Sequence, residues 1–456
     1  MYKWFLLILL WAASSSLIPS QTIVKTLPGY PGPLPFKLET GYIGVGEDED
    51  VQLFYFFVES EGNPEVDPLI IWLAGGPGCS NLHAFFFEIG PLKILNGNYI
   101  DDVPALQVDP NSWTKLANII YLDGPTLTGY SYTTTSEAAR SSDTLSASQT
   151  TEFIRKFVRD HPRFLKNPMY VTGISYSGIG YMAGNPLTNK SGDINSRFEF
   201  AYQMALISKD LFESTKEDCN GEYAEANDKN TLCISRINEV NKRVSDINMS
   251  QILEPICGNS TSKLLPTVNQ IRMRKQRSVR ENPIMIVHAQ PSVMDAICNV
   301  DYFYAMLWAN NRNVMKALNV RKGRVTEENL CNMDMKYDYG YTSLPLYEFN
   351  VQSSVVHHEE LSKRNCRALI FSGDHDMTIP HVGTYNWIKS LNLTITESNW
   401  DAWYSNGQVA GFKTTYAHDN YSLVFATVKG GGHTVPQYKP KQCFDMVKRW
   451  FAHESI

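Results

Sequence analysis

Runs rich in Ile, Val, Leu, Phe and Tyr recur along this chain at Gln52–Val58, Pro68–Leu73, Asn118–Leu122, Pro168–Thr172, Ala368–Ser372 and Leu423–Val428. They are short, and several end in Gly, Asp or Pro, which marks them as strands rather than buried helices. Near-continuous apolar strands are what a sheet covered by helices on both faces requires, because neither side of the strand meets water. Between two of them, Ser142–Val158 carries Leu145, Phe153, Ile154 and Phe157 at helical spacing, which predicts a helix with one buried stripe. Alternation of strand and helix predicts an α/β fold with a mostly parallel sheet.

The pattern changes between about Ser191 and Glu327, where charged and amide residues rise and strand-like runs vanish. This stretch reads as a helical lid inserted over the C-terminal edge of the sheet, where ligand sites of such folds sit. The expected division is a leader over 1–20, a first core part over 21–190, the lid over 191–327 and a second core part over 328–456. A basic run within the insertion, Arg272, Arg274, Lys275, Arg277 and Arg280, reads as a solvated loop or a protease-sensitive linker.

Composition narrows the class. The chain has 456 residues, 43% apolar and 19% charged, which suits one enzyme-sized domain carrying an insertion. With 41 basic against 47 acidic residues the net charge is −6, and no basic face extends across the domain, so nucleic acid is not an expected partner. Lys3, the apolar run Trp4–Ala13 and small residues from Ser14 to Ser20 read as a secretory signal, with the mature chain starting near Gln21. No later segment is long and apolar enough for a membrane helix.

In an oxidising compartment the eight cysteines are expected to pair, with Cys79–Cys331, Cys219–Cys233 and Cys257–Cys298 preferred although spacing leaves connectivity open. Cys366 and Cys443 are then left as buried thiols. Sequons at Asn189, Asn248, Asn259, Asn392 and Asn420 fit the same compartment.

The chemistry concentrates at three places. After the strand Pro168–Thr172 comes Gly173-Ile-Ser175-Tyr-Ser-Gly178, where small neighbours let a serine be held in a strained turn that projects its hydroxyl from the sheet edge. Taken alone it is also what an ordinary turn serine looks like. Ala368–Ser372 then runs into Asp374 and Asp376, and Gly430-Gly-Gly-His433 follows the strand Leu423–Val428. The order Ser, Asp, His is that of α/β-hydrolases, with Ser175 as nucleophile, His433 as general base and Asp376 as its orienting acid, Asp374 being the competitor. Ala74-Gly75-Gly76-Pro77-Gly78 follows Pro68–Leu73, and its glycines let backbone N–H groups face a developing oxyanion. No metal or cofactor is implied, since His375 and His381 lack metal-site spacing.

These motifs, with Leu27-Pro-Gly-Tyr-Pro31, Gly41-Tyr-Ile-Gly-Val45, Trp72–Ser80, Phe87-Glu-Ile-Gly-Pro91, Gly184-Asn-Pro-Leu-Thr188 and Gly432-His-Thr-Val-Pro436, make the chain resemble serine carboxypeptidase-like proteins, particularly the plant group that includes acyltransferases. The resemblance implies an α/β-hydrolase fold, an oxyanion hole from the N–H groups of Gly76 and Tyr176, and a substrate site around Trp72, Ala74, Gly75, Glu88 and Ile174. It implies a small ester or peptide substrate. Peptide-cleaving members carry Asn and Glu where this chain has Ala74 and Ile174, neither of which can bind a substrate carboxylate. Glu88 resembles one half of a carboxyl pair whose partner is missing.

A further departure follows from length alone. A parallel crossover takes roughly a dozen residues, yet only a few lie between Ser175 and the strand-like Gly180–Asn185. The helix expected after the nucleophile cannot form there. Two readings follow: an acyl-transferring serine enzyme, or a secreted glycoprotein or splice form that keeps the fold but is catalytically impaired.

Overall fold

The computed structural model describes residues 21–177, 181–256, 300–325, 327–332, 335, 346–397 and 399–456. The leader, the basic run, Asn259, Cys257 and Cys298 lie outside the described residues.

The first half supplies β1 (Gln21–Thr26), β2 (Pro33–Val45), β3 (Val51–Val58), β4 (Leu69–Leu73), a separate hairpin of β5 (Leu92–Ile100) and β6 (Val103–Val108), and β7 (Asn118–Leu122). Short β8 (Tyr132–Thr133) and β9 (Ser141–Ser142) precede helix α1 (Asp143–Asp160), which is followed by β10 (Met169–Ile174) and β11 (Met182–Gly184). Helices α2 (Lys190–Gln203), α3 (Lys209–Cys219), α4 (Thr231–Val244), α5 (Val300–Ala309) and α6 (Arg312–Ala317) come next. The chain closes with β12 (Tyr347–Glu348), α7 (Val355–Ser362), β13 (Arg367–Gly373), α8 (His381–Ser390), β14 (Thr394–Ile395), β15 (Asp401–Ser405), β16 (Gln408–His418), β17 (Tyr421–Val428), α9 (Val435–Tyr438) and α10 (Pro440–Phe451).

The main sheet runs β1-β2-β3-β7-β4-β10-β11-β13-β17-β16-β14. From β7 through β17 every neighbouring pair is parallel, and both flanks are antiparallel. The apolar runs are these central strands, and their pleat explains the pattern. On β3, Phe54, Phe56 and Val58 enter one core while Leu53, Tyr55 and Phe57 enter the other; β4 and β7 divide the same way. Flanking strands such as β1 expose most of their residues and mix polar with apolar, so they carry no such signal.

Ser142 caps α1 by accepting from Leu145 N at 3.2 Å, and Phe153 and Phe157 form its buried stripe. The insertion packs in two ways. Helices α2–α4 share a core of Phe198, Phe200, Ile237 and Val240 that also takes in Met377. Helix α5 instead joins the main core through Ala305, Trp308 and Ala309. Trp308 Nε1 donates to Pro28 O at 2.8 Å, and the Tyr130 hydroxyl donates to Ala309 O at 2.8 Å. Within the stretch 191–327 expected as a lid, α5 thus walls the main core on the face of Ala305, Trp308 and Ala309, while Leu307 is exposed.

β10 and β11 are parallel neighbours joined only by residues 175–181, with no α-helix between them among the described residues. The pairing Thr172–Met182 to Ile174–Gly184 is short. The chain therefore returns by about two residues, or roughly 7 Å, which a link of this length spans at up to ~3.5 Å per residue.

Far from the sheet edge, Glu39 accepts from Tyr55 Oη at 2.7 Å and contacts His161 Nε2 at 3.0 Å. Burial lowers the pKa of His161, but the hydrogen bond and charge of Glu39, with the Phe157 carbonyl, outweigh it and hold the pKa above the usual value. A raised folded-state pKa stabilises the fold fully below the unfolded value and loses that contribution as pH climbs through the folded one. The melting-temperature advantage of wild type over His161→Gln is therefore expected to be full in mildly acidic solution and to shrink as pH rises above the usual histidine value of about 6.5. Scanning calorimetry across that range checks it; a constant or widening advantage contradicts the assignment.

Candidate active site

Three loops leaving the same edge of the sheet meet at one point. Ser175 follows β10 directly and sits at φ +61°, a region that L-residues rarely enter and that turns its side chain out of the strand. Its Oγ lies 2.8 Å from His433 Nε2. His433 follows β17, and its Nδ1 lies 2.8 Å from Asp376 Oδ2, on the loop after β13. All three are buried.

The carboxylate is held on every side. Asp376 Oδ1 accepts from Thr378 N at 2.7 Å, and Oδ2 accepts from Asn185 Nδ2 at 2.6 Å and Ile379 N at 3.3 Å. Asp374, the competing acid, turns away to His375 Nδ1 at 2.5 Å and Gly430 N at 2.6 Å. Among the described residues no His, Cys, Asp or Glu cluster could hold a metal ion.

The glycine loop after β4 packs on the serine. A Cβ on Gly75 would lie 2.6 Å from Ser175 Cβ and 2.9 Å from Ile174 O. Gly76 has φ +121°, which a side chain would strain. Behind the loop, buried Asp123 accepts from Ser80 Oγ at 3.0 Å, Asn81 N at 2.8 Å and Tyr130 N at 3.0 Å. Burial raises its pKa to about 6 against those bonds. The disulfide Cys79–Cys331 ties the same loop to the second core part.

The residues expected around a substrate fare unevenly. Ala74 is half-buried, whereas Trp72 is wholly buried with its ring edge-on to Trp113 at 5.4 Å, and Ile174 is 3% exposed. Both therefore act from behind the surface, because β4 and β10 are central strands whose residues feed the cores. Glu88 is buried with Oε1 2.9 Å from His83 Nδ1, and Oε2 has no hydrogen-bond partner among the described residues.

Motif reading missed what lies beside it. His83 Nε2 is 2.8 Å from Tyr302 Oη, which donates to Gln437 Oε1 at 2.9 Å, where Thr434 Oγ1 also donates at 2.8 Å. The chain of contacts ends next to His433 in sequence. Also missed were Asn185, which bonds Asp376, and the segment Met249–Ile252, whose role only the contacts reveal.

The second bridge is Cys219–Cys233. Cys443 is buried, with burial pushing its thiol well up, but Cys366 is only half-buried because it lies in the turn before β13. Asn392 and Asn420 are exposed, while Asn189 caps α2 through Gly192 N at 3.0 Å and Asn248 accepts from Ser250 N at 3.0 Å.

The serine carboxypeptidase family model matches residues 28–179 and 179–453, two stretches that meet in the link after Ser175. Serine carboxypeptidase-like 19 of Arabidopsis thaliana is 40% identical over 466 residues, covering 96% of each chain. Serine carboxypeptidase-like 10 of the same plant is 39% identical over 463 residues, again with 96% of each covered. The crystal structure of Kex1(Δ)p, a prohormone-processing carboxypeptidase from Saccharomyces cerevisiae, superposes with TM-score 0.68 at 16% identity, covering 95% of each chain. The chain belongs to the serine carboxypeptidase family and has its α/β-hydrolase fold.

Gly75 offers a direct check on the packing at the serine. Gly75→Ala is expected to lower kcat/KM for a p-nitrophenyl ester by about 100-fold, as sub-ångström misplacement of a reacting group does, with the far-ultraviolet circular dichroism unchanged. A variant of full activity would show that the loop has room the geometry denies.

Proposed function

We propose that this protein is a secreted serine carboxypeptidase-like hydrolase or acyltransferase that works through Ser175, His433 and Asp376. The observation that carries the reading is the unbroken couple from Ser175 Oγ through His433 to Asp376, both contacts at 2.8 Å. In the reaction, Ser175 Oγ attacks an ester or peptide carbonyl carbon as His433 Nε2 takes its proton. Asp376 keeps the ring oriented and stabilises its charged form. The tetrahedral oxyanion is met by the N–H groups of Gly76 and Tyr176. The proton then passes to the leaving group, and water or an alcohol takes the acyl group from the serine by the reverse steps.

Ala74 and half-buried surroundings bear on the substrate. With no side-chain donor at Ala74, and with the apolar Ile174 side chain buried, neither position offers a free peptide C-terminus a partner, and a buried carboxylate left unpaired is strongly disfavoured. Neutral esters fit the site better. The disulfides and the exposed sequons at Asn392 and Asn420 support passage through the secretory pathway with glycans at those positions. The alternative, a fold kept without activity, has less support because the couple is intact.

A fluorophosphonate probe is expected to label the wild-type chain and to leave Ser175→Ala unlabelled, with His433→Ala slowed by about 1,000-fold or more. Folded wild-type protein that resists the probe would sink the proposal.

The substrate argument has its own test. A panel of glucose esters and C-terminally free peptides is expected to favour the esters in kcat/KM by at least about tenfold. Efficient peptide trimming would show that other groups bind the carboxylate.

A further inference from the structure

The link after Ser175 leaves no room for a helix to seat the elbow, and the described part of it is one 3-10 turn, Ser175–Ser177. Something else must fix Tyr176, whose N–H sits next to the nucleophile. Its side chain is the visible anchor. Tyr176 Oη donates to Asp143 Oδ1 at 2.8 Å, across to the first residue of α1. The same carboxylate oxygen accepts from Tyr347 Oη at 2.9 Å, and Oδ2 accepts from Val351 N at 2.7 Å.

The pocket around the phenol is built rather than incidental. Strand β12 pairs with β9 just before α1, Tyr347 opposite Ser141, which brings the 347–351 segment against the elbow. The Phe349 ring stands edge-on to Tyr176 at 5.2 Å and 85°. Burial, with the hydrogen bond and charge of Asp143, pushes the Tyr176 phenol well up, so it remains a donor across the physiological range. On the other side, Leu187 N donates to Ser175 O at 3.0 Å. The turn is thus held at Ser175 and at Tyr176.

We propose that Asp143 is a positioning residue for acyl transfer, acting through the Tyr176 phenol to fix the peptide N–H of Tyr176 toward the oxyanion. The proposal rests on the serine-enzyme reading. Asp143 touches neither substrate nor Ser175; it replaces by side-chain clamping what a helix would supply by its own first turn. The shared carboxylate makes the test clean, because Tyr347 donates to the same oxygen but carries no reacting group.

The test compares Tyr176→Phe, Asp143→Asn and Tyr347→Phe in the full chain, by ester kinetics and by hydrogen exchange of peptides covering the end of β10 and the turn. Tyr176→Phe is expected to lower kcat by about tenfold to a hundredfold with KM within about twofold, as loss of an oxyanion donor's alignment does. Asp143→Asn should lie between wild type and Tyr176→Phe, and Tyr347→Phe should keep kcat within about twofold. Exchange in the turn should quicken in Tyr176→Phe and not in Tyr347→Phe. Equal losses in Tyr176→Phe and Tyr347→Phe, or unchanged exchange in Tyr176→Phe, overturn the clamp. Exchange is read without turnover, so a wild-type chain inert to esters whose turn still loosens in Tyr176→Phe overturns the enzyme reading and keeps the clamp's mechanical part.

Discussion

Register across the middle of the sheet is the constraint on which the site depends. Ile174, Gly184, Phe371 and Ala426 lie side by side on β10, β11, β13 and β17, and every group of the couple leaves the sheet just beyond that row. A slip of one residue moves a strand by about 3.3 Å and turns its side chains to the opposite face. A hydrogen bond of 2.8 Å does not survive such a shift. What forbids the slip is burial on both sides. Leu369 and Phe371 enter one core while Ala368 and Ile370 enter the other, so any misregister exchanges ring for methyl on both faces at once.

That same burial is why so much of the fold was legible in the sequence. Strands buried on both faces must be apolar throughout, so Gln52–Val58, Asn118–Leu122 and Leu423–Val428 stood out, and each lies within a strand found in the fold. Ser175, Asp376 and His433 were readable because strand ends with glycine and acid punctuate those runs. The flanks were not readable. On β16, exposed Gln408 and Phe412 alternate with buried Ala410 and Thr414, a pattern that polar loops also show. Nor could spacing reveal His83 and Tyr302, which meet across 219 positions and share no motif. Trp72 and Ile174 were placed at the substrate by resemblance, and the sheet puts their side chains inside the protein.

The short link after Ser175 illustrates how parallel neighbours can be joined without an α-helix between them. Parallel neighbours demand a crossover because the chain must travel back the length of a strand. Strand β11 removes most of that demand by pairing over three residues only. Its continuation still serves the site, since Asn185 at φ +43° gives one side-chain nitrogen to Asp376 and takes Gly373 N at 3.2 Å on its oxygen. A three-residue β11 therefore needs no long return of the chain, and the residue after it still holds Asp376.

Helix α2 and the segment Met249–Ile252 bear on the same loops. Arg197 of α2 is buried and donates twice to Thr378 O, at 2.9 and 2.7 Å, and Thr378 N in turn holds Asp376. Burial lowers the Arg197 pKa to about 10, with Asp376 and Asp193 acting the other way, so the cation persists at neutral pH. A buried cation must be paired to be tolerated, and here the pairing falls on the loop that carries the acid. Farther along, Met249 O accepts from Met377 N at 2.8 Å and Thr378 N at 3.0 Å, while Ser250 O accepts from His433 N at 2.7 Å. One strap thus joins the acid's loop to the imidazole's. An insertion that served only as a cover could move without disturbing the couple; this one shares backbone hydrogen bonds with both loops, so its position and theirs are set together.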